Sequence, residues 1–215
     1  MFQFDFKQIL IYIPAAMLAI TFHEAAHGLV AYWLGDRTAH DQGRLTINPI
    51  AHIDPIGLLC ILIAGFGWAK PVPVDPRNFK RPKLGMALTA LAGPVSNLIL
   101  SFLLCLVAIP LYFNFTGVWA ALGQFLWITA SINTGFAIFN LLPIPPLDGS
   151  KLLIPFLSNK ALHLFYRWED YIRFALMACI FLGLLDGVIG TAQSYVFGNI
   201  FAGAIRILSA IGVLA

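Results

Sequence analysis

From Ile9 to Leu34 the chain runs through 26 positions with a single acid, Glu24, and no lysine or arginine. A run of this kind restricts the fold more than any other feature, because about 20 apolar residues are enough to cross a bilayer. Uncharged runs recur over Leu84–Tyr112 and Val118–Asn140. The whole sequence is 60% hydrophobic and only 11% charged, whereas soluble domains are roughly half apolar and a quarter charged. In lipid every backbone polar group needs an internal partner, so helices are the expected elements. The expected class is an all-α polytopic membrane protein with about 4–6 transmembrane or re-entrant helices.

Between the runs lie segments with other signals. Ile56 to Phe66 is apolar but too short to span, and reads as re-entrant or interfacial. The stretch GWAKPVPVDPRNFKRP carries Pro71, Pro73, Pro76 and Pro82. Its alternation of Val and Pro predicts an extended edge strand or small membrane-associated β-hairpin, since proline removes backbone donors and breaks helices. A polar loop is expected over Ser158–Asp170 and a fourth span over Tyr171–Leu185. Tyr195–Ala215 is long enough for a further span, but Arg206 near its middle is costly on a lipid-facing helix, so an interfacial position is equally open.

Charge placement predicts orientation. Arg37, Arg44, Lys70, Arg77, Lys80, Arg81 and Lys83 all fall in the one polar stretch after the first span. Basic loops mark the cytoplasmic side, which puts the 35–83 loop in the cytoplasm and the N-terminus outside, in the cell membrane. Lys151, Lys160, Arg167 and Arg173 then also land inside, as the same rule wants. The basic residues are few and interleaved with Pro and Asp, so nucleic acid is not expected as a partner. Cys60, Cys105 and Cys179 share no metal-ligand spacing and read as inert packing residues. The N-terminus lacks the pattern of a cleaved signal peptide, and the first span is expected to be retained.

The sequence His23-Glu24-Ala25-Ala26-His27 sits inside that first span. Positions i and i+4 share a helix face, so both imidazoles can reach one metal ion, and Glu24 beside them can take a proton from water. The plain alternative is two core histidines and an incidental acid. A charged glutamate deep in lipid costs roughly 2.5 kcal/mol or more unless partnered, and the span offers no cation. At about 1.5 Å per residue, His27 lies roughly 10 Å and His23 roughly 16 Å from the Leu34 end, nearer the cytoplasmic face.

Catalytic zinc usually takes three protein ligands and leaves one position open. His40 and His163 sit in polar loops and are most simply solvated. His52, in NPIAHIDP, could approach the site or support its ligands from behind if its loop folds back. Asp148, in NLLPIPPLDG, is the stronger candidate for the third ligand. A proline-broken apolar stretch at membrane depth is tolerated where it lines a cavity or is buried in protein. Asp-Gly is also an ordinary turn, which is the competing reading.

HEAAH followed far downstream by NLLPIPPLDG, with LAGPVSN (Leu91 to Asn97) between them, resembles the site-2 protease family of intramembrane zinc metalloproteases. The three motifs stand in that family's order and cover roughly residues 10–160. The chain is similar to the compact form, without a PDZ insertion or CBS-type tail. The resemblance implies a single domain over 1–215, with a catalytic core over about 9–158 and C-terminal helices over about 171–215. It implies one zinc ion held by His23, His27 and Asp148, with Glu24 as general base. Asn140 would hold the substrate backbone, and Asn97 would be a polar contact or oxyanion helper. GWAKPVPVDPRN resembles the family's hairpin, which would pair with an unwound substrate by β-augmentation. Implied substrates are membrane-anchored proteins cut in or near a transmembrane segment, with access gated by loops or a partner protein. The rival classes are a zinc-binding membrane transporter, which would show internal repeats not seen here, and a non-proteolytic homologue that binds membrane partners, which would have no need of Glu24.

Overall fold

The computed structural model describes residues 6–57, 60 and 69–214. Seven helices carry labels here: α1 (Phe6–Trp33), α2 (Thr38–Asp41), α3 (Pro82–Asn114), α4 (Val118–Asn140), α5 (Asp148–Lys151), α6 (Asn159–Phe181) and α7 (Asp186–Ala210). Four of them are long and apolar enough to cross a membrane: α1 from Leu10 onward, α3, α4 and α7. The chain is an integral membrane protein. Helices α1, α3 and α4 pack on one another, and α7 packs on α3 and α4.

Local sequence accounts for the helix limits. Pro82 opens α3, where a missing N–H costs nothing. Ser158 caps α6 by accepting from Ala161 N at 3.3 Å. Gly117 and Gly183, at φ +65° and +67°, form the turns before α4 and after α6, in a conformation that disfavours other residues.

The fourth membrane-crossing helix is not the one expected. Tyr171–Leu185 belongs to α6 and the turn after it, and α6 begins at Asn159, inside the stretch expected to be a loop. Residues 164–181 hold Arg167, Glu169, Asp170 and Arg173, too many charges for a span. The fourth crossing helix is α7, which takes in much of the segment whose role was open, with Arg206 exposed. Most of the short apolar piece at 56–66 lies outside the described residues.

The expected β-hairpin is also absent among the described residues. One isolated antiparallel bridge joins Ile53 to Ala69. From there the chain runs extended along α1 as a strap, and three hydrogen bonds fix it. Lys70 N donates to His52 O at 2.9 Å. Val72 N donates to Glu24 Oε2 at 2.8 Å. Asp75 N donates to Asp36 Oδ2 at 2.7 Å. Pro71 and Pro73 do keep the strap extended, but beyond Lys70 its donors at Val72 and Asp75 turn to carboxylates on α1 and beyond its end rather than to a second strand. Asp36 is fully buried and also accepts from Thr38 N and from Asn78 Nδ2 at 2.8 Å. Burial opposes its ionisation, yet these hydrogen bonds hold its pKa below the ordinary carboxylate value.

Candidate metal centre

His23 and His27 lie on one face of α1, 2% and 8% exposed. Asp148 opens α5 and is also buried. Its Oδ2 stands 2.9 Å from His23 Nε2 and 3.0 Å from His27 Nε2. Ligand atoms of the three residues all fall within 4.8 Å of one another, close enough to hold one metal ion. Residues 125 positions apart in sequence thus meet inside the apolar bundle.

The other imidazole nitrogens indicate what this cluster needs. His27 Nδ1 lies 2.7 Å from the carbonyl oxygen of Thr89, which can only accept. His23 Nδ1 lies 2.7 Å from Asn97 Oδ1. The Asn97 amide donates to Ala19 O at 2.9 Å and to Asn133 Oδ1 at 2.7 Å, which identifies its oxygen as the atom facing His23. Both Nδ1 atoms are therefore donors. In neutral imidazoles the proton is then spent on that side, and two bare Nε2 lone pairs face a carboxylate oxygen. Three acceptors converge stably only around positive charge. Such Nδ1 partners are the usual means of orienting metal-binding histidines. Tetrahedral zinc–ligand bonds of about 2.0–2.1 Å set ligands roughly 3.3 Å apart, so the group fits after opening by a few tenths of an ångström.

Close approach of α3 depends on Gly93. A Cβ there would come within 2.5 Å of His27 Cε1 and 2.6 Å of His23 Cε1 and Nε2. Gly149 has the same character on the other side, where a Cβ would collide with the Leu141 and Leu142 carbonyls. Lys151 Nζ donates to Asp148 Oδ1 at 3.0 Å, holding the carboxylate by its second oxygen so that Oδ2 faces the histidines. Glu24 is half-buried beside the pair.

The remaining residues singled out from the sequence are placed differently. Asn97 is fully buried as a polar contact of the site, with Oδ1 on His23 Nδ1 and both amide hydrogens engaged by Ala19 O and Asn133 Oδ1. His52 is also buried, but its Nε2 bonds to Thr46 O at 2.8 Å and not to the cluster, while its Nδ1 has no partner among the described residues. Asn140 ends α4 half-buried, with its amide nitrogen donating to Phe136 O at 3.0 Å. His40 pairs with Asp41 on the surface, and His163 is exposed on α6. Gly93, Thr89, Val72 and Lys151 also shape the site. Of these, the glycine of LAGPVSN and the lysine one turn after Asp148 left a sequence signal. Thr89 and Val72 act through backbone atoms, which no side chain announces.

A buried His-His-Asp donor set with an adjacent glutamate, inside a bundle of membrane-crossing helices, defines a membrane protein with a candidate metal site. The profile of Peptidase family M50 matches residues 114–183. The chain is 48% identical over 141 residues to "Putative zinc metalloprotease YwhC" of Bacillus subtilis (strain 168), covering 64% of each chain. It is 32% identical over 155 residues to "Putative zinc metalloprotease Rip2" of Mycolicibacterium smegmatis, covering 68% of this chain and 57% of that protein. Identity to the Rip2 of Mycobacterium tuberculosis (strain H37Rv) is 33% over 153 residues, 67% of this chain and 56% of the relative. The matches thus span less than two thirds of each relative's length. No solved structure matches the chain. The resemblance to the site-2 protease family, peptidase family M50, thus rests on the family model over residues 114–183 and on 48% identity to a putative zinc metalloprotease.

Proposed function

We propose that this protein is a zinc metalloendopeptidase that cleaves membrane-anchored proteins in or near a transmembrane segment. The observation that carries this reading is the convergence of His23 Nε2, His27 Nε2 and Asp148 Oδ2 in the bundle, with both Nδ1 protons turned away from the shared point. His23, His27 and Asp148 hold one zinc ion. When bound, zinc supplies Lewis-acid polarisation and an acidified water. Glu24 takes the proton of the attacking water and passes it to the leaving amine, for which its place in the motif beside His23 suits it. The Val72 N–H donates to Glu24 Oε2 and turns that carboxylate toward the strap.

A transmembrane helix hides its peptide bonds, so the substrate unwinds locally before cleavage. Asn140, at the mouth of the α4–α5 segment, supplies hydrogen bonds to the freed backbone. The strap's donors at Lys70, Val72 and Asp75 are already committed, so pairing with substrate requires it to shift, and gating falls to this loop or to a partner protein. The charge pattern puts the N-terminus outside, the 35–83 loop in the cytoplasm and the site nearer the cytoplasmic face of the cell membrane.

The test is cleavage of a membrane-anchored peptide by the full chain in detergent or vesicles. Glu24→Gln is expected to slow turnover by about 10²–10⁴-fold while leaving bound zinc at the wild-type level. Undiminished cleavage by that variant would remove Glu24 as the base. Zinc bound by the wild type without any glutamate-dependent cleavage would favour a zinc-binding or transport protein.

A further inference from the structure

Helix α6 is a long helix that does not meet the requirements of a span. Both its ends lie at one end of the bundle. Just before it, Leu157 O accepts from Lys83 Nζ, in the first turn of α3, at 2.6 Å. Just after it, α7 begins, and Gln193 of α7 donates to Ser131 O of α4 at 3.0 Å. Gln193 is about 10 Å along α7 from its start, and Ser131 is about 14 Å from the end of α4. The α6–α7 turn therefore sits within a few ångströms of the level of Asn140. The far end of α7 is at the other end of the bundle, where Asn114 Nδ2 donates to Val213 O at 3.2 Å. A helix of 23 residues is about 34 Å long. It cannot cross the bilayer and return within its own length, so it runs across the bundle's end.

Its surface is divided three ways. Leu162, Phe165 and Ile172 turn inward with the buried Leu176. Leu164, Trp168, Tyr171 and Ala175, at i, i+4, i+7 and i+11, form an exposed apolar stripe, with Trp168 49% and Tyr171 68% exposed. His163, Arg167 and Asp170 lie exposed on the adjacent flank, with Phe174, 71% exposed, among them. An indole and a phenol on an otherwise aliphatic stripe, beside a charged flank, suit the boundary between lipid headgroups and acyl chains. The four spans fix a bilayer, and the end of the bundle along which α6 runs is where that boundary falls.

We propose that α6 lies in the membrane interface, with the Leu164–Trp168–Tyr171–Ala175 stripe sunk about 5–10 Å into the headgroup–acyl boundary and the His163–Arg167–Asp170 flank in water. It is an anchoring helix, joined through residues 152–158 to the segment that carries Asp148. This assignment does not depend on the protein being a protease.

The test is spin-label accessibility along α6 in the full chain, reconstituted into phosphatidylcholine–phosphatidylglycerol vesicles. The background carries C60S, C105A and C179S and is checked for native helix content. Labels are placed by L164C, W168C, Y171C and A175C, and by H163C, R167C and D170C; A175C keeps both aromatic rings. The expected result is that the first four are reached by oxygen and lose access to aqueous nickel, and that the other three show the reverse. Nickel access at all seven would mean that the helix stands clear of the membrane. Oxygen access at all seven would make it a span. Labels on the stripe shielded from both reagents would mean a protein partner or second copy covers it. Each of these three outcomes overturns the proposal.

Discussion

Along the seam between α3 and α4, the two ends of the bundle are packed by different means. Near the histidines the seam is polar and closed by hydrogen bonds: Asn97 joins α1 and α4, Ser101 Oγ donates to Ala130 O at 2.8 Å, and Ser101 Oγ meets Thr134 Oγ1 at 2.8 Å. Toward the other end, Cys105, Ile109, Ala130, Ala204 and Leu208 form an apolar cluster. Trp127 there stacks edge-on against Phe201 with ring centroids 4.6 Å apart. Lipid gives no hydrophobic drive for helices to associate, so both ends rely on packing and interhelical hydrogen bonds. A hydrogen-bonded seam adds a fixed register and rotation, which orients an imidazole. An apolar one adds cohesion with less demand on position. The difference assigns precision to the site end and holding strength to the far end.

Three substitutions would sharpen or break that contrast. Gly93→Ala is expected to have the largest effect, because its Cβ would overlap both imidazoles. Overpacking costs up to about 3 kcal/mol, so zinc affinity should fall by up to about 100-fold, measured by competition with a chelator. Asn97→Ala removes the acceptor that orients His23 and should weaken zinc by about tenfold, with a smaller change in thermal stability than its burial alone suggests. Ile109→Ala, in the apolar end, should lower stability by about 2 kcal/mol, the cavity part of the cost, and leave zinc affinity unchanged. If Ile109→Ala weakened zinc as much as Asn97→Ala, the division between the two ends would not hold.

The readable part of the site was its local part. Two histidines at i and i+4 in an uncharged run can be placed on one helix face from spacing alone. Asp148 stood out because prolines interrupt an apolar segment just before it. Asn97 was noticed, but its task was not legible, since it depends on which helix faces α1 and at what rotation. The strap shows the same limit: Pro71 and Pro73 announced extended chain, whereas the partners of Val72 N and Asp75 N are set by tertiary position. By hydropathy alone helix α6 divides into a charged half that reads as loop and an apolar half that reads as span. Read at 3.6 residues per turn, Leu164, Trp168, Tyr171 and Ala175 fall on one stripe.

The central claim is that His23, His27 and Asp148 together hold one metal ion inside the bundle. X-ray absorption at the zinc edge of the purified protein tests it most directly, with His27→Ala and Asp148→Asn alongside. The account predicts one zinc per chain, with two imidazole nitrogens at about 2.0–2.1 Å and oxygen donors completing the shell. It predicts that the wild-type spectrum is lost in both variants. A shell without paired imidazoles, or a wild-type spectrum surviving Asp148→Asn, would contradict it.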